Sequence, residues 1–287
     1  MKNFSRFIAF ALTALTCTSA LAGCSASGGD IQAENRLEEI KQRGYIEVAT
    51  EPYFAPNEFI DPTKEGEEQY VGADIELAKA IADEIGVELK IVPLEFSAVL
   101  ASITTGKHDL AISALAWTPS RAESLEMSVG YHYSEDSLYT VLVREEDAAS
   151  IKSLDDLKGK KVVCQSGSLQ EQLIKDAMDV NELDELMYVS STTDGYLMVS
   201  EEKADACVCA LVNGDLYAAA NEGLTTIPDV IDFPVSEEYQ GTRVGAPKGE
   251  TELIEVVNKV IEELSETGQY NEWYEEYSEY AKSLGLE

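Results

Sequence analysis

The sequence predicts an α/β protein of two lobes, each a mainly parallel sheet flanked by helices. Three observations carry that expectation. Strand-like and helix-like runs alternate from Tyr45 to about Arg121. The alternation restarts near Ser153. Two amphipathic stretches close the chain without extending the second run. Strands that alternate with helical crossovers form parallel sheets covered by helices.

Taken in order, Arg36 to Arg43 is a short helix stopped by Gly44. Tyr45 to Thr50 is a strand, and Glu51 to Phe59 a loop containing Pro52 and Pro56. Asp74 to Ile85 is a helix with Ile75, Ala78, Ile81, Ala82 and Ile85 on one face, closed by Gly86. Val87 to Val92 reads as a strand, Phe96 to Thr104 as a helix, and Asp109 to Ser113 as an apolar strand. Thr118-Pro119 then starts a helix, with Thr as N-cap and Pro at the first helical position. In the second run, Ser153 to Lys158 is a capped short helix and Lys161 to Gln165 a strand. Ser166-Gly167-Ser168 turns tightly into a helix from Leu169 to Met178. Met187 to Val189, Thr193 to Glu202, Ala206 to Ala210 and Asn213 to Glu222 continue strand, helix, strand, helix. Thr251 to Leu264 carries one apolar stripe, and a last helix spans roughly Tyr270 to Ala281. The aromatic stripe of that last helix reads as packing.

The first 23 residues read as an export signal. Lys2 and Arg6 precede an uncharged apolar run from Phe7 to Leu21, shorter than the roughly 20 residues of a membrane span. Leu21-Ala22-Gly23-Cys24 resembles a lipoprotein cleavage box. That resemblance implies cleavage before Cys24 and a lipid on its sulfur, hence an extracytoplasmic protein anchored to the cell membrane. Residues 24–35 form a polar tether.

The chain has 54 acidic and 21 basic residues, a net charge of −33. Phosphate binding needs a basic surface, so nucleic acid is not expected as a partner. Cys17 leaves with the signal, and an odd three thiols remain, Cys164, Cys207 and Cys209. They make no disulfide framework and, with only His108 and His132 in the chain, no metal site. Buried, they act as small apolar side chains.

Several motifs resemble the bacterial extracellular solute-binding proteins of family 3, the receptors of polar amino acid ABC transporters. They are Gly72-Ala73-Asp74-Ile75-Glu76-Leu77, Thr105-Gly106-Lys107-His108-Asp109, Thr118-Pro119-Ser120-Arg121, Leu154-Asp155-Asp156-Leu157-Lys158-Gly159-Lys160 and Gln165-Ser166-Gly167-Ser168-Leu169-Gln170-Glu171. Their order and spacing behind the cleavage box, over about Leu37 to Leu284, carry the resemblance. It implies a type II periplasmic-binding fold whose chain crosses between lobes twice, at Tyr133 to Thr140 and Val235 to Thr242. Lobe one would hold 36–136 and 241–287, with both C-terminal helices packed on it, and lobe two 137–240. The function implied is capture of an amino acid or related small zwitterion by hinge closure. ABC permease subunits would be the partners; the receptor would be a monomer, without cofactor and not an enzyme.

The ligand would lie in the cleft at the carboxyl ends of the strands. Arg121 is the candidate for its carboxylate, because a guanidinium matches that group with two donors. Gly167, Ser168 and Leu169 open a helix on the opposite lobe and offer backbone N–H groups. Ser168 can equally serve as a plain helix cap. Phe54 and Phe96 match positions for stacking on the ligand, with Trp117 at the cleft edge. Ser113, Ala114 and Ala116 complete the floor. Glu51 can hold a cationic side chain, and Asp74 either assists or caps its helix.

One position departs from the family. Where relatives place an aspartate for the α-ammonium, this chain has Ala210, and a hydroxyl is missing at Ala116. An ammonium desolvated without a counter-charge is costly. Glu51, Asn213 or Asp215 takes over, or the ligand is not an ordinary α-amino acid. Two rival functions share this scaffold. A sensor would present ligand to a receptor, and a dehydratase would need Glu51 or Asp74 as general acid.

Overall fold

The computed structural model describes residues 33–133, 138–235 and 239–285. The expected signal and Cys24 lie outside the described residues, as do residues 134–137 and 236–238 within the two expected crossings. From Ala33 onward the chain forms one unit.

The first run builds α1 (Arg36–Arg43), β1 (Tyr45–Thr50), β2 (Tyr53–Phe54), β3 (Glu58–Ile60) and β4 (Tyr70–Val71). It continues with α2 (Ala73–Ile85), β5 (Glu88–Pro93), α3 (Phe96–Thr104), β6 (Leu110–Ala111), α4 (Pro119–Ser124) and β7 (Leu125–Met127). The second run builds β8 (Tyr139–Arg144), α5 (Glu145–Ala148), β9 (Lys161–Gln165), α6 (Leu169–Ala177) and β10 (Glu185–Val189). After it come α7 (Thr192–Ser200), β11 (Ala206–Ala210), α8 (Leu211–Ala220) and β12 (Leu224–Thr226). The chain ends with β13 (Gly245–Pro247), α9 (Thr251–Thr267) and α10 (Gln269–Leu284).

Two five-stranded sheets define two lobes. The first has the order β5-β1-β6-β13-β7 and the second β10-β9-β11-β8-β12. Strands β5, β1 and β6 run parallel, as do β10, β9 and β11. The remaining pairings are antiparallel because β13 in the first sheet and β8 in the second run against their neighbours, so each sheet is mainly parallel with one reversed strand. Strand β13 follows the whole second sheet in sequence yet pairs in the first. The chain therefore leaves the first lobe, builds the second and returns.

Helix signals act locally and fall where the sequence puts them. Asn35 caps α1 by accepting from the Glu38 N–H, and Gly44 closes it in the left-handed conformation. The stripe Leu253, Ile254, Val257, Val260 and Ile261 of α9 joins the first core, beside the Ile75, Leu77, Ala78 and Ile81 face of α2. Each such side chain contributes about 1.5–3 kcal/mol on burial. Tyr270 of α10 is buried in the same core. The aspartate of the Thr105–Asp109 motif receives the guanidiniums of Arg36 and Arg43, which fastens α1 to the entry of β6.

The expected loop over Glu51 to Phe59 is in fact the start of a small sheet, β2-β3-β4. Two- and three-residue strands carry too little period to be read. Gly72 fastens this sheet to α2. Its φ is +129°, and a Cβ there would lie 2.1 Å from the Asn57 carbonyl oxygen. That close approach lets the Ala73 and Asp74 N–H groups donate to the Pro56 and Asn57 carbonyls, at 3.1 and 2.8 Å. Gly72 is also the N-cap of α2, so Asp74 is not the cap that the sequence allowed it to be.

In the second lobe Cys164, Cys207 and Cys209 are free and fully buried. Burial pushes the Cys164 and Cys209 thiols up to about 12. Gly195 of α7 packs onto Cys207, whose sulfur would stand 2.7 Å from an added Cβ.

Candidate functional site

The end of β1 delivers Glu51 into the space between the lobes, where it is 2 % exposed. Its N–H donates to the Ser113 hydroxyl oxygen at 3.1 Å, and that hydroxyl donates to Glu58 Oε1 at 2.8 Å. Glu58, on β3, is fully buried. Glu51 Oε1 and Glu58 Oε2 have no hydrogen-bond partner among the described residues. Behind them Asp74 accepts from the Ala114 N–H at 2.8 Å, the Tyr131 hydroxyl at 2.9 Å and the Tyr270 hydroxyl at 2.6 Å. Ala114 adopts a left-handed φ of 43°, unusual without glycine, which sets its N–H against Asp74.

Burial governs the charge of these acids. It raises Glu51 to about 8, helped by Asp194 and Glu95 and opposed by a hydrogen bond with Gln165. Burial, then the neighbouring Asp74, raises Glu58 well above the usual carboxylate range. The folded state therefore holds a proton on Glu51 that the unfolded chain releases near 4.5. That contribution to stability is complete below pH 4.5 and is lost as pH rises toward 8. Each pH unit across the window costs up to about 1.4 kcal/mol. Thermal melts between pH 5 and 8 should fall more steeply for the wild type than for Glu51→Gln. Equal slopes would contradict the raised value.

Arg121 comes from the short helix α4, started by the Thr118 cap: the Arg121 N–H donates to the Thr118 hydroxyl at 3.2 Å. The side chain is 8 % exposed. Nη1 donates to the Ala116 carbonyl at 2.7 Å, and Nη2 crosses to the Gly167 carbonyl at 2.9 Å. The guanidinium carbon stands 5.4 Å from the centre of the Phe96 ring. Burial lowers its pKa to about 10, which leaves it cationic at neutral pH. Among the described residues Arg121 pairs with no carboxylate.

The second lobe supplies two helix starts. Ser168 caps α6: its hydroxyl accepts from the Glu171 N–H at 3.2 Å and donates to the Gln165 carbonyl at 2.7 Å. Helix α8 begins after Ala210 with no side-chain cap. Asn213 Nδ2 donates across the cleft to the Ala55 carbonyl at 2.7 Å.

Together these groups line one cavity. It includes Glu51, Phe54, Phe96, Ser113, Ala114, Ala116, Arg121, Ser168 and Leu169 from the sequence reading. About 110 Å³ is open to the centres of water-sized spheres. One water takes roughly 10–15 Å³ by that measure, so the space suits a small solute. Gly167 is not on the wall but contributes its carbonyl to Arg121. Trp117 is also off the wall. It is half-buried and packs on Tyr239 with ring centres 6.0 Å apart. Lying next to Thr118 in sequence does not aim its side chain inward.

Sequence reasoning passed over Asn57, Glu58, His132, Leu138, Tyr139, Gln165, Thr242 and Tyr274 as wall residues. Glu58 carried a usable signal, an acid directly before the apolar pair Phe59-Ile60. The others come from the crossings, from strand ends and from α10, where no local pattern points to a cleft.

Comparison with known proteins decides the family. The model of the bacterial extracellular solute-binding proteins, family 3, matches residues 46–280. The chain belongs to that family. The arginine-binding extracellular protein ArtP of Bacillus subtilis is 26% identical over 268 residues, covering 90% of this chain and 92% of that protein. The crystal structure of an amino acid ABC transporter substrate-binding protein from Streptococcus pneumoniae, bound to L-arginine, superposes with a TM-score of 0.75. It is 32% identical and covers 86% of this chain and 98% of that one. The ancestral amino acid-binding protein AncCDT-1, described as a precursor of cyclohexadienyl dehydratase, is 28% identical, with a TM-score of 0.70. It covers 85% of this chain and 99% of that chain. This family member thus has the two-lobed α/β fold of those binding proteins.

Proposed function

We propose that the chain is the receptor of an ABC importer, capturing an amino acid or related small zwitterion by closing its lobes. The observation that carries this is Arg121. Its guanidinium, buried and free of any acid among the described residues, reaches from α4 to the Gly167 carbonyl beside the start of α6. A ligand anion placed there touches both lobes. It therefore favours the closed state by its differential contacts, each charged hydrogen bond contributing about 1.5–3 kcal/mol. Phe54, Phe96 and Leu169 pack the ligand's body, Ser113, Ala114 and Ala116 form the floor, and Glu51 faces its cation. Residues 36–136 with 241–287 act as lobe one and 137–240 as lobe two, and the crossings between them as the hinge.

The sequence Leu21-Ala22-Gly23-Cys24 supports export and a lipid anchor on Cys24. No helix among the described residues is long and apolar enough to cross a membrane, so that anchor would hold the monomeric receptor near its permease. Catalysis is the lesser reading: Glu51, protonated near neutrality and on the cavity wall, is an acid that could donate a proton. A thermal-shift screen of amino acids and their analogues tests the main reading, because a ligand of the folded state raises the melting temperature. Stabilisation by at least one, without its chemical conversion, is expected. No stabilisation by any of them rejects the reading, and turnover favours the enzyme.

A further inference from the structure

The cleft holds three carboxyl or guanidinium groups without an ion-pair partner among the described residues, and all three come from the first lobe. Arg121 bonds two carbonyls and no acid among the described residues. Glu51 and Glu58 meet at the Ser113 hydroxyl, and Glu51 Oε1 is buried with no hydrogen-bond partner among the described residues, while the Glu58 carboxyl also faces Asp74. The second lobe lines the same cavity without any charged residue. Its wall there includes Leu138, Ala210, Leu211 and Val212, beside the neutral amides of Gln165 and Asn213. A solute that matches this site brings an anion to Arg121 and, to the Glu51–Glu58 pair, a cation whose arrival displaces a proton to solvent.

An α-amino acid adds a third requirement. With its carboxylate on Arg121, its ammonium is one carbon away, close to the guanidinium. The carbonyls bonded by that guanidinium, of Ala116 and Gly167, already face a cation. On the second lobe Ala210, which lines the same cavity, has no group to ionise. Desolvating an ammonium there without a counter-charge is unfavourable.

On the reading of the cleft given above, we infer that the preferred ligand is a zwitterion with its charges at opposite ends. It is an ω-amino or ω-guanidino acid without an α-ammonium. The carboxylate docks on Arg121 and the start of α6. The chain lies between Phe54 and Phe96, and the terminal cation rests on Glu51 and Glu58.

Isothermal titration calorimetry on the folded protein tests this with two matched pairs, 5-guanidinopentanoate against L-arginine and 6-aminohexanoate against L-lysine. In at least one pair the compound without the α-ammonium should bind tighter by about tenfold or more. Equal or tighter binding of the α-amino acids overturns the inference and leaves the receptor reading intact. Binding of neither class also overturns the inference, while the receptor reading is decided by the thermal-shift screen. Ala210→Asp supplies a second readout, since aspartate is a favourable residue at a helix N-cap. It should shift the ratio of affinities toward the α-amino acid by about tenfold. A ratio that stays put overturns the inference.

Discussion

Arg121→Ala should weaken capture of a carboxylate ligand by about two to four orders of magnitude. Two charged hydrogen bonds to the anion, at about 1.5–3 kcal/mol each, account for that range. The loss also removes the Nη2 bond to the Gly167 carbonyl, so the closed arrangement is weakened together with the ligand contact. Arg121→Lys separates charge from shape: an ammonium keeps the charge but cannot offer two parallel donors. It should recover part of the affinity. Calorimetric titration with the ligand found by thermal shift measures both variants, and circular dichroism checks that they fold. Affinity unchanged in Arg121→Ala would remove the anion clamp.

Asp74→Ala should lower the melting temperature by on the order of 10 °C. The Asp74 carboxyl gathers three donors from distant parts of the chain. They are the Ala114 N–H at the cleft floor, the Tyr131 hydroxyl near the first crossing and the Tyr270 hydroxyl on α10. Alanine leaves all three donors without this acceptor, the two hydroxyls on buried side chains, and each unsatisfied buried group costs about 1–3 kcal/mol. Ala114 has the further problem of its left-handed φ, which loses the bond that holds it. Scanning calorimetry reads the effect. A shift of under about 2 °C would show that these hydroxyls find other acceptors.

Much of the fold was legible because its signals are local. The Thr118 cap before Pro119, the glycine stops at Gly44 and Gly86, and the apolar stripe of α9 each act within one turn. The antiparallel strands β7, β8 and β13 were not legible. Their pairing joins segments more than 60 residues apart or separated by the whole second lobe, such as Ala246 with Glu126 and Cys207 with Leu142. The site divides the same way. Arg121 and Ser168 stand in recognisable helix starts, so their placement could be anticipated. Glu58 offered only the cue of an acid before Phe59-Ile60; its place under Ser113 comes from the fold of β3, where Gly72 approaches Asn57. Trp117 shows the opposite case: proximity in sequence suggested a wall, but its ring packs on Tyr239 instead.

The three thiols of the second sheet have a practical consequence. They are sealed from solvent, and burial keeps Cys164 and Cys209 protonated far above neutral pH, so they are poor nucleophiles toward alkylating dyes. A form beginning at Arg36, which drops Cys17 and Cys24, therefore offers a chemically silent background. A single cysteine placed at an exposed position such as Leu197 or Tyr53 would take a fluorophore selectively, and lobe motion could be followed without first stripping the native sulfur from the protein.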